Sequence, residues 1–337
     1  MKYTVHLASI VASMVIVGVL LISMNIDPIE AYSIMFQRSF GSKFGLTELF
    51  VKTTPIILTG LSVAIPFKAG LWNIGAEGQL YMGAFAASLV ALYSKNPYLT
   101  IPLMFVFSAF LGVLWALIPG ILRAKFGLNE ILSTLLLNYV AIYWVEYLVY
   151  GPLKGKKVYN FPYSDLFPKY AILPRLLETR FHVGVFIAIF LAVLIYFLLT
   201  RTEFGFSIRV VGANPKAAEY AGINKDKIII YSMMLAGALS GIAGMIEVSG
   251  IHMRLKCNIS PGYGYAGIPV ALLASGNPIG VVFAALLFGF LYVGGSALQT
   301  TYSIPVAIVY VFQAIIVLFI IAGDALRGRK LWKFLHH

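Results

Sequence analysis

Runs of apolar residues too long for the core of a water-soluble domain decide what this chain can become. Residues 101–122 and 183–200 are predominantly apolar stretches without a charged residue. A run of about 18 or more apolar residues reads as a helix crossing a bilayer. In hydrocarbon each backbone amide and carbonyl must be satisfied within its own segment, so such runs form helices. Ten crossings are expected, at 7–24, 49–67, 76–93, 101–122, 128–150, 183–200, 228–249, 266–276, 278–298 and 303–322. The piece at 266–276 is short and interrupted by Gly and Pro. No small-x-small cleavage pattern follows the first run closely, so it reads as an uncleaved span and not a signal peptide. The expected fold class is therefore an all-α polytopic membrane protein, one transmembrane domain over 1–337. A proline-rich external loop at 151–182 and a basic cytoplasmic tail at 324–337 complete it.

An even number of crossings puts both termini on one side. The tail and the charged segment 201–227 favour the cytoplasm for both, although Lys and Arg divide almost evenly between the two sides. The net charge of +12 is spread over loops and tail, where basic residues anchor a chain at anionic lipid; no nucleic-acid partner is indicated. The single cysteine, Cys257, excludes an internal disulfide or a multi-Cys metal site. His182 and His252 lack ligand spacing, so no metal site is expected.

Segment 201–227 gathers Arg201, Glu203, Arg209, Lys216, Glu219, Lys225, Asp226 and Lys227 in a chain that is only 11% charged. Within it a short helix is punctuated at both ends. Asn214 suits the N-cap, Pro215 the first helical position and Gly222 the position just past the end. A compact, capped, amphipathic helix held outside the bilayer is a surface for another protein, which points to a permease driven by a partner. The absences agree. The sequence has no Gly-x-x-x-x-Gly-Lys-Ser/Thr phosphate loop, no nucleophile elbow and no His-Glu-x-x-His, and ion-coupling side chains within the spans are scarce. The chain is read as a transport subunit and not an enzyme, with its motor elsewhere.

Two regions break the helical pattern, 66–79 and 260–269, the second continued by Gly276-Asn277-Pro278. Irregular backbone at membrane depth is tolerated only when buried in protein or lining a wet cavity, and paired interruptions in two halves of a transporter point to its pathway. Crossings two to five and seven to ten would be those halves, though their side chains match only weakly. Asn73, Glu77 and Gln79 are costly in lipid and are candidates for the substrate pathway. Against this, Asn73 also suits a helix cap at the interface, and Glu77 the positive end of that helix. Asn138 is a candidate to read a nucleobase or sugar hydroxyls; Tyr263 and Tyr265 in the second break are candidates to line the path. Ser133 and Thr134 read as interhelical bonding, worth about 0.6 kcal/mol on average in membranes. Glu146 and Glu247 read as solvated residues near the outer ends of their spans.

The order and spacing of several stretches carry a resemblance. Asp27-Pro28-Ile29-Glu30-Ala31-Tyr32, Asn73-Ile74-Gly75-Ala76-Glu77-Gly78-Gln79, Gly127-Leu128-Asn129-Glu130 and Leu137-Asn138-Tyr139 come first. Val211-Gly212-Ala213-Asn214-Pro215 through Ile223 and Ser260-Pro261-Gly262-Tyr263-Gly264 follow. Together they resemble the permease subunits of ABC importers for nucleosides and simple sugars. The likeness spans about residues 27–323 and is strongest to the larger permease of the basic-membrane-protein-dependent nucleoside systems. It implies a type II importer-like fold of about ten helices and residence in the cytoplasmic membrane. It implies a cytoplasmic ATPase that docks on a coupling helix containing Arg209, Asn214, Pro215, Ala218, Glu219 and Gly222. An extracytoplasmic substrate-binding lipoprotein and a second, paralogous permease forming a heterodimer are also implied. ATP would be consumed by the partner, and no cofactor held by this chain. Pro269 departs from the family pattern, where a small residue is usual, and would sharpen the break there. The cargo implied is a nucleoside, with a pentose or hexose as the alternative; an ion-coupled secondary carrier is the rival from a different class.

Overall fold

The computed structural model describes residues 2–156, 161–305, 307–308, 310–312, 314–319 and 322–323. The basic tail 324–337 and parts of the crossing expected at 303–322 lie outside these residues. The described chain is helical without a named strand: α1 (Lys2–Ser23), α2 (Pro28–Phe40), α3 (Lys43–Lys68), α4 (Ala76–Tyr93), α5 (Thr100–Phe126), α6 (Glu130–Tyr150), α7 (Gly184–Arg201), α8 (Glu203–Ala213), α9 (Pro215–Tyr220), α10 (Lys225–Ile246), α11 (Tyr263–Leu273) and α12 (Pro278–Tyr302). Six of the described helical segments are long and apolar enough to cross a membrane: α3, α5, α6, α7, α10 with the turn after it, and α12. A seventh span arises if α1 and α2, bent by 114°, count as one. The chain is thus an integral membrane protein, with fewer clear spans among the described residues than the ten expected. The shortfall has physical causes. At 11 residues, α11 is about 16 Å long and cannot cross about 30 Å of hydrocarbon. Helix α4 is almost wholly buried, so it needs no lipid-compatible surface and carries small and polar side chains instead.

Two compact units make up the chain, residues 1–52 with 286–337, and residues 53–285. In the first, Asp27 caps α2 by accepting from the Ile29 amide at 2.8 Å, and the Tyr32 hydroxyl donates to the Met14 carbonyl at 2.5 Å. Met35 fills the space left by Gly294. Helix α2 had not been anticipated from the sequence.

The second unit is built on α4, α5 and α10. A Cβ on Gly83 of α4 would collide with the backbone of Gly241 on α10, one on Gly244 with the Leu80 carbonyl, and one on Gly112 of α5 with the Gly237 carbonyl. Small residues let membrane helices approach until their backbones touch, which is where packing energy comes from when lipid is as apolar as Leu. The row Gly237-x-x-x-Gly241 faces Ser108, Gly112 and Ala116, a stripe the sequence reading passed over. Helix α6 packs on the other side of α4 through Thr134, Asn138, Ala141 and Val145. After α10, six residues, Glu247–His252, form a π-helical turn. The 151–182 loop holds only a short 3-10 turn, Lys169–Ala171, among its described residues.

Candidate functional site

Both breaks lie inside the 53–285 unit, and their polar residues meet there. After α3 the chain reverses at Gly70, where φ is +78°, and runs back into the protein. The Trp72 amide donates to Glu130 at the start of α6 at 3.4 Å; Glu130 also pairs with Arg123 at 3.2 Å. Asn73 and Gln79 are fully buried and joined amide to amide, at 3.1 and 3.0 Å. Asn73 Nδ2 also donates to the Ser62 hydroxyl of α3 at 3.1 Å, while its Oδ1 accepts from the Gly75 amide at 3.1 Å.

Two further polar residues solve a problem of helix ends. The first amides of any helix lack intrahelical partners, and α4 and α11 both begin within the protein. Asn138 of α6 supplies one missing partner: its Oδ1 accepts from the Gly78 amide at 2.8 Å, and its Nδ2 donates to the Ile74 carbonyl at 2.8 Å. Glu77 supplies the other, its Oε2 accepting from the Gly264 amide at 2.6 Å. A carboxylate at a helix N-terminus also meets the positive end of the helix dipole. The Ser260 hydroxyl caps the same end, accepting from Tyr263 at 2.8 Å. Thr59 of α3 donates to the Tyr263 carbonyl at 2.9 Å, and Gly267 lies against Thr59 and Gly60. Helix α11 runs straight through Pro269, so the expectation that this proline sharpens the break is corrected: the break is at 253–262, before the helix.

The six residues singled out for the pathway therefore form one cluster. Asn73, Glu77, Gln79, Asn138 and Tyr263 are buried. Tyr265 is half-buried, with its hydroxyl 3.4 Å from Asn138 Nδ2.

The residues expected to meet an ATPase gather at the end of this unit where α3 finishes and α6 begins. Thr202 caps α8, accepting from the Gly205 amide at 3.1 Å; Arg209 donates to the Leu199 carbonyl. Asn214 caps α9 by accepting from Lys216 and Ala217 at 3.0 and 3.2 Å. Pro215 opens α9, Ala218 is buried beneath it, and Gly222 turns the chain at φ +77° with open space around it. Glu219 pairs with Lys225 at 2.6 Å. Tyr220 stands 94% exposed. Gly212 was missed in the sequence. A Cβ there would collide with the Lys68 carbonyl, so α8 rests on the very backbone that leads into the Asn73 loop.

At the opposite end, loop 161–183 is fastened to the π-helical turn. Ser249 donates to the Ala171 carbonyl at 2.6 Å and accepts from the Leu173 amide at 3.1 Å; Arg175 donates to the Gly250 carbonyl at 3.2 Å. The ring of His182 fits against Gly250, where a side chain would strike it. Burial holds the His182 imidazole below its ordinary pKa, at about 4. Glu247 is not the solvated residue expected: it is buried, 3.5 Å from His252.

Comparison with known proteins places these features in context. A family model described as branched-chain amino acid transport system / permease component matches residues 45–321. The glucose ABC transporter permease protein TsgB13 of Haloferax volcanii is 38% identical over 336 residues, 96% of this chain and 88% of that protein. The guanosine ABC transporter permease protein NupP of Bacillus subtilis is 35% identical, over 88% of this chain and 87% of its own. The nucleoside ABC transporter permease protein NupB of Lactococcus lactis is 33% identical, over 95% and 90%.

Proposed function

The chain belongs to the family of branched-chain amino acid transport system / permease components, permeases of ABC transporters, and from that premise we propose that it imports nucleosides across the cytoplasmic membrane. The observation that carries the mechanism is α9, a six-residue helix capped at both ends and joined through α8 to the backbone at Lys68. In this reading both termini and α8–α9 lie in the cytoplasm, and 151–182 faces outward. A separate ATPase seats on α9 with Arg209, Asn214, Pro215, Ala218, Glu219 and Gly222 shaping the surface. This chain holds no ATPase site; the partner consumes the ATP. A second, paralogous permease completes the pathway, and an extracytoplasmic binding protein delivers cargo.

Closure of the ATPase pushes α8. Because Gly212 lies on the Lys68 carbonyl, the push reaches the loop that holds Asn73, then α4, α6 and α11 through the Gln79, Asn138 and Glu77 bonds. Asn73, Glu77, Gln79, Asn138 and Tyr263 hold the broken helices as one moving wall of the pathway, and Tyr265 faces the cargo. The sugar reading stands beside this one, since a glucose permease protein shares 38% identity with the chain.

Uptake of radiolabelled guanosine and glucose into proteoliposomes tests the reading. The chain is assayed alone and with its ATPase, second permease and binding protein. Uptake requiring ATP and the full set is expected, with guanosine preferred. A glucose preference moves the cargo to sugars; uptake by the chain alone along an ion gradient overturns the importer.

A further inference from the structure

The exposed faces of three membrane helices differ in kind. On α5 the exposed residues include Leu103, Val106, Phe107, Phe110, Leu114 and Ile118, and on α7 Phe186, Ile189, Phe190, Val193, Leu194 and Phe197. Those faces are hydrocarbon throughout, as lipid requires. On α6 the exposed face is apolar at its start, at Leu132 and Leu136, and then carries Tyr139, Tyr143, Tyr147 and Tyr150, each more than half exposed, beside Val140 and Trp144 and with the half-buried Glu146 among them. Spacings of four, four and three residues keep the tyrosines within about 80° of arc. None of the four hydroxyls is bonded to another described residue.

Interfacial tyrosine belts do not explain this face. A belt sits at headgroup level, whereas Tyr139 is the tenth of the 21 residues of α6 and Tyr143 is one turn beyond. The ladder climbs about 16 Å from mid-span to the end of the helix. Hydroxyls at the depth of Tyr139 and Tyr143 face protein or water, since lipid offers them no partner. The lower end of the ladder adjoins Tyr265, whose hydroxyl meets Asn138, one residue before Tyr139.

We propose that this tyrosine ladder of α6 is the stacking track of the pathway: successive rings carry the base of a nucleoside from the outer end of the helix to Tyr265. The proposal rests on the nucleoside reading above. Aromatic faces stack on any base, so a ladder of rings holds cargo at many heights and tightly at none. Conduction needs sites strong enough to enter and weak enough to leave.

Single-cysteine variants test it in the assembled transporter, in a Cys257→Ser background because Cys257 is the only native cysteine. Tyr139→Cys, Tyr143→Cys and Tyr147→Cys are exposed to a membrane-impermeant thiol reagent, with Phe190→Cys of α7 as the lipid-facing control. The ladder positions are expected to react, more slowly when guanosine is present, while Phe190→Cys stays inert. Ladder positions as inert as the control, whether covered by lipid or by the second permease, overturn the proposal. So does reaction that guanosine does not slow. Uptake gives an independent readout: Tyr143→Phe keeps KM, and Tyr143→Leu raises it about tenfold, the size of one lost stack. Equal KM for the two variants overturns the stacking role. Failure of the nucleoside reading shows separately, as a wild-type transporter that moves glucose and not guanosine.

Discussion

The glycine-lined seam between α4, α5 and α10 and the α8–α9 segment both depend on glycine, for opposite reasons. At the seam, Gly83, Gly112, Gly237 and Gly241 are needed because a neighbouring backbone occupies the space a side chain would take. At Gly222 the surroundings are empty, and the residue is needed for its φ of +77°. The seam resists any change of volume. The segment outside the spans resists only a change of shape. A machine that converts a push into a tilt needs both: a body that moves as one piece and a small handle of fixed form.

Substitutions should separate the two. The largest effect is expected at the seam. Gly241→Leu drives a side chain into the Ser108 carbonyl and forces α5 and α10 apart, and overpacking in a close-packed interior costs about 1–3 kcal/mol or more. The variant should fail to yield a monodisperse permease in detergent; a normal yield with unchanged thermal stability would show that the seam yields easily.

Gly212→Val comes next, because it joins the two regions. It should lift α8 from the Lys68 backbone, leaving ATPase binding in place while transport falls at least about tenfold, a loss of about 1.4 kcal/mol in coupling. ATPase assays and uptake on the same reconstituted sample check this.

Gly222→Val should leave the bundle folded and uncouple ATP hydrolysis from transport, because a left-handed conformation costs an L-residue about 1–2 kcal/mol. Normal transport by this variant would remove Gly222 from the coupling surface. Asn214→Ala should act in the same direction but less, since an N-cap contributes about 1 kcal/mol; partial loss of coupling, measured as transport per ATP, is expected.

A smaller effect is expected at the loop fastened to the π-helical turn. His182 is buried neutral, its pKa lowered from 6.5 to about 4. The unfastened loop binds a proton more readily than the fastened one, so the His182 contribution is complete above about pH 6.5 and is lost as pH falls toward 4. Glu247 and Arg175 act on the same imidazole, Glu247 favouring its protonation and Arg175 opposing it. The protection factors of the Leu173 and Val183 amides, taken relative to the slower intrinsic exchange in acid, should fall on acidification, and His182→Gln should flatten that response.

The parts of this fold that were legible in the sequence were those with local causes. The cap at Asn214, the reversal at Gly222 and six of the apolar spans each follow from a few adjacent residues, and these stand as read. The two breaks were legible as breaks, and the polar residues in them as belonging together. What was hidden depends on pairs distant in the chain. Whether Asn138 reads a cargo or satisfies the Gly78 amide is decided by α4 beginning beside it, 60 residues away. Glu247 was read as solvated because nothing nearby in sequence shows that the loop at 161–183 covers it. The Gly237-x-x-x-Gly241 motif was visible but unread, and its partner stripe on α5 acquires meaning only once the two helices touch.

The bond between Glu77 and α11 also bears on which molecules can pass. Transporters commonly turn the positive end of a half-helix toward an anionic group on the cargo. Here that end is already occupied by a carboxylate of the protein itself, 2.6 Å from the Gly264 amide. An incoming phosphate would find the amide at this helix end already taken by the Glu77 side chain. On the nucleoside reading, the occupied helix end would favour neutral solutes over their phosphorylated forms, so guanosine monophosphate is expected not to compete with guanosine for uptake.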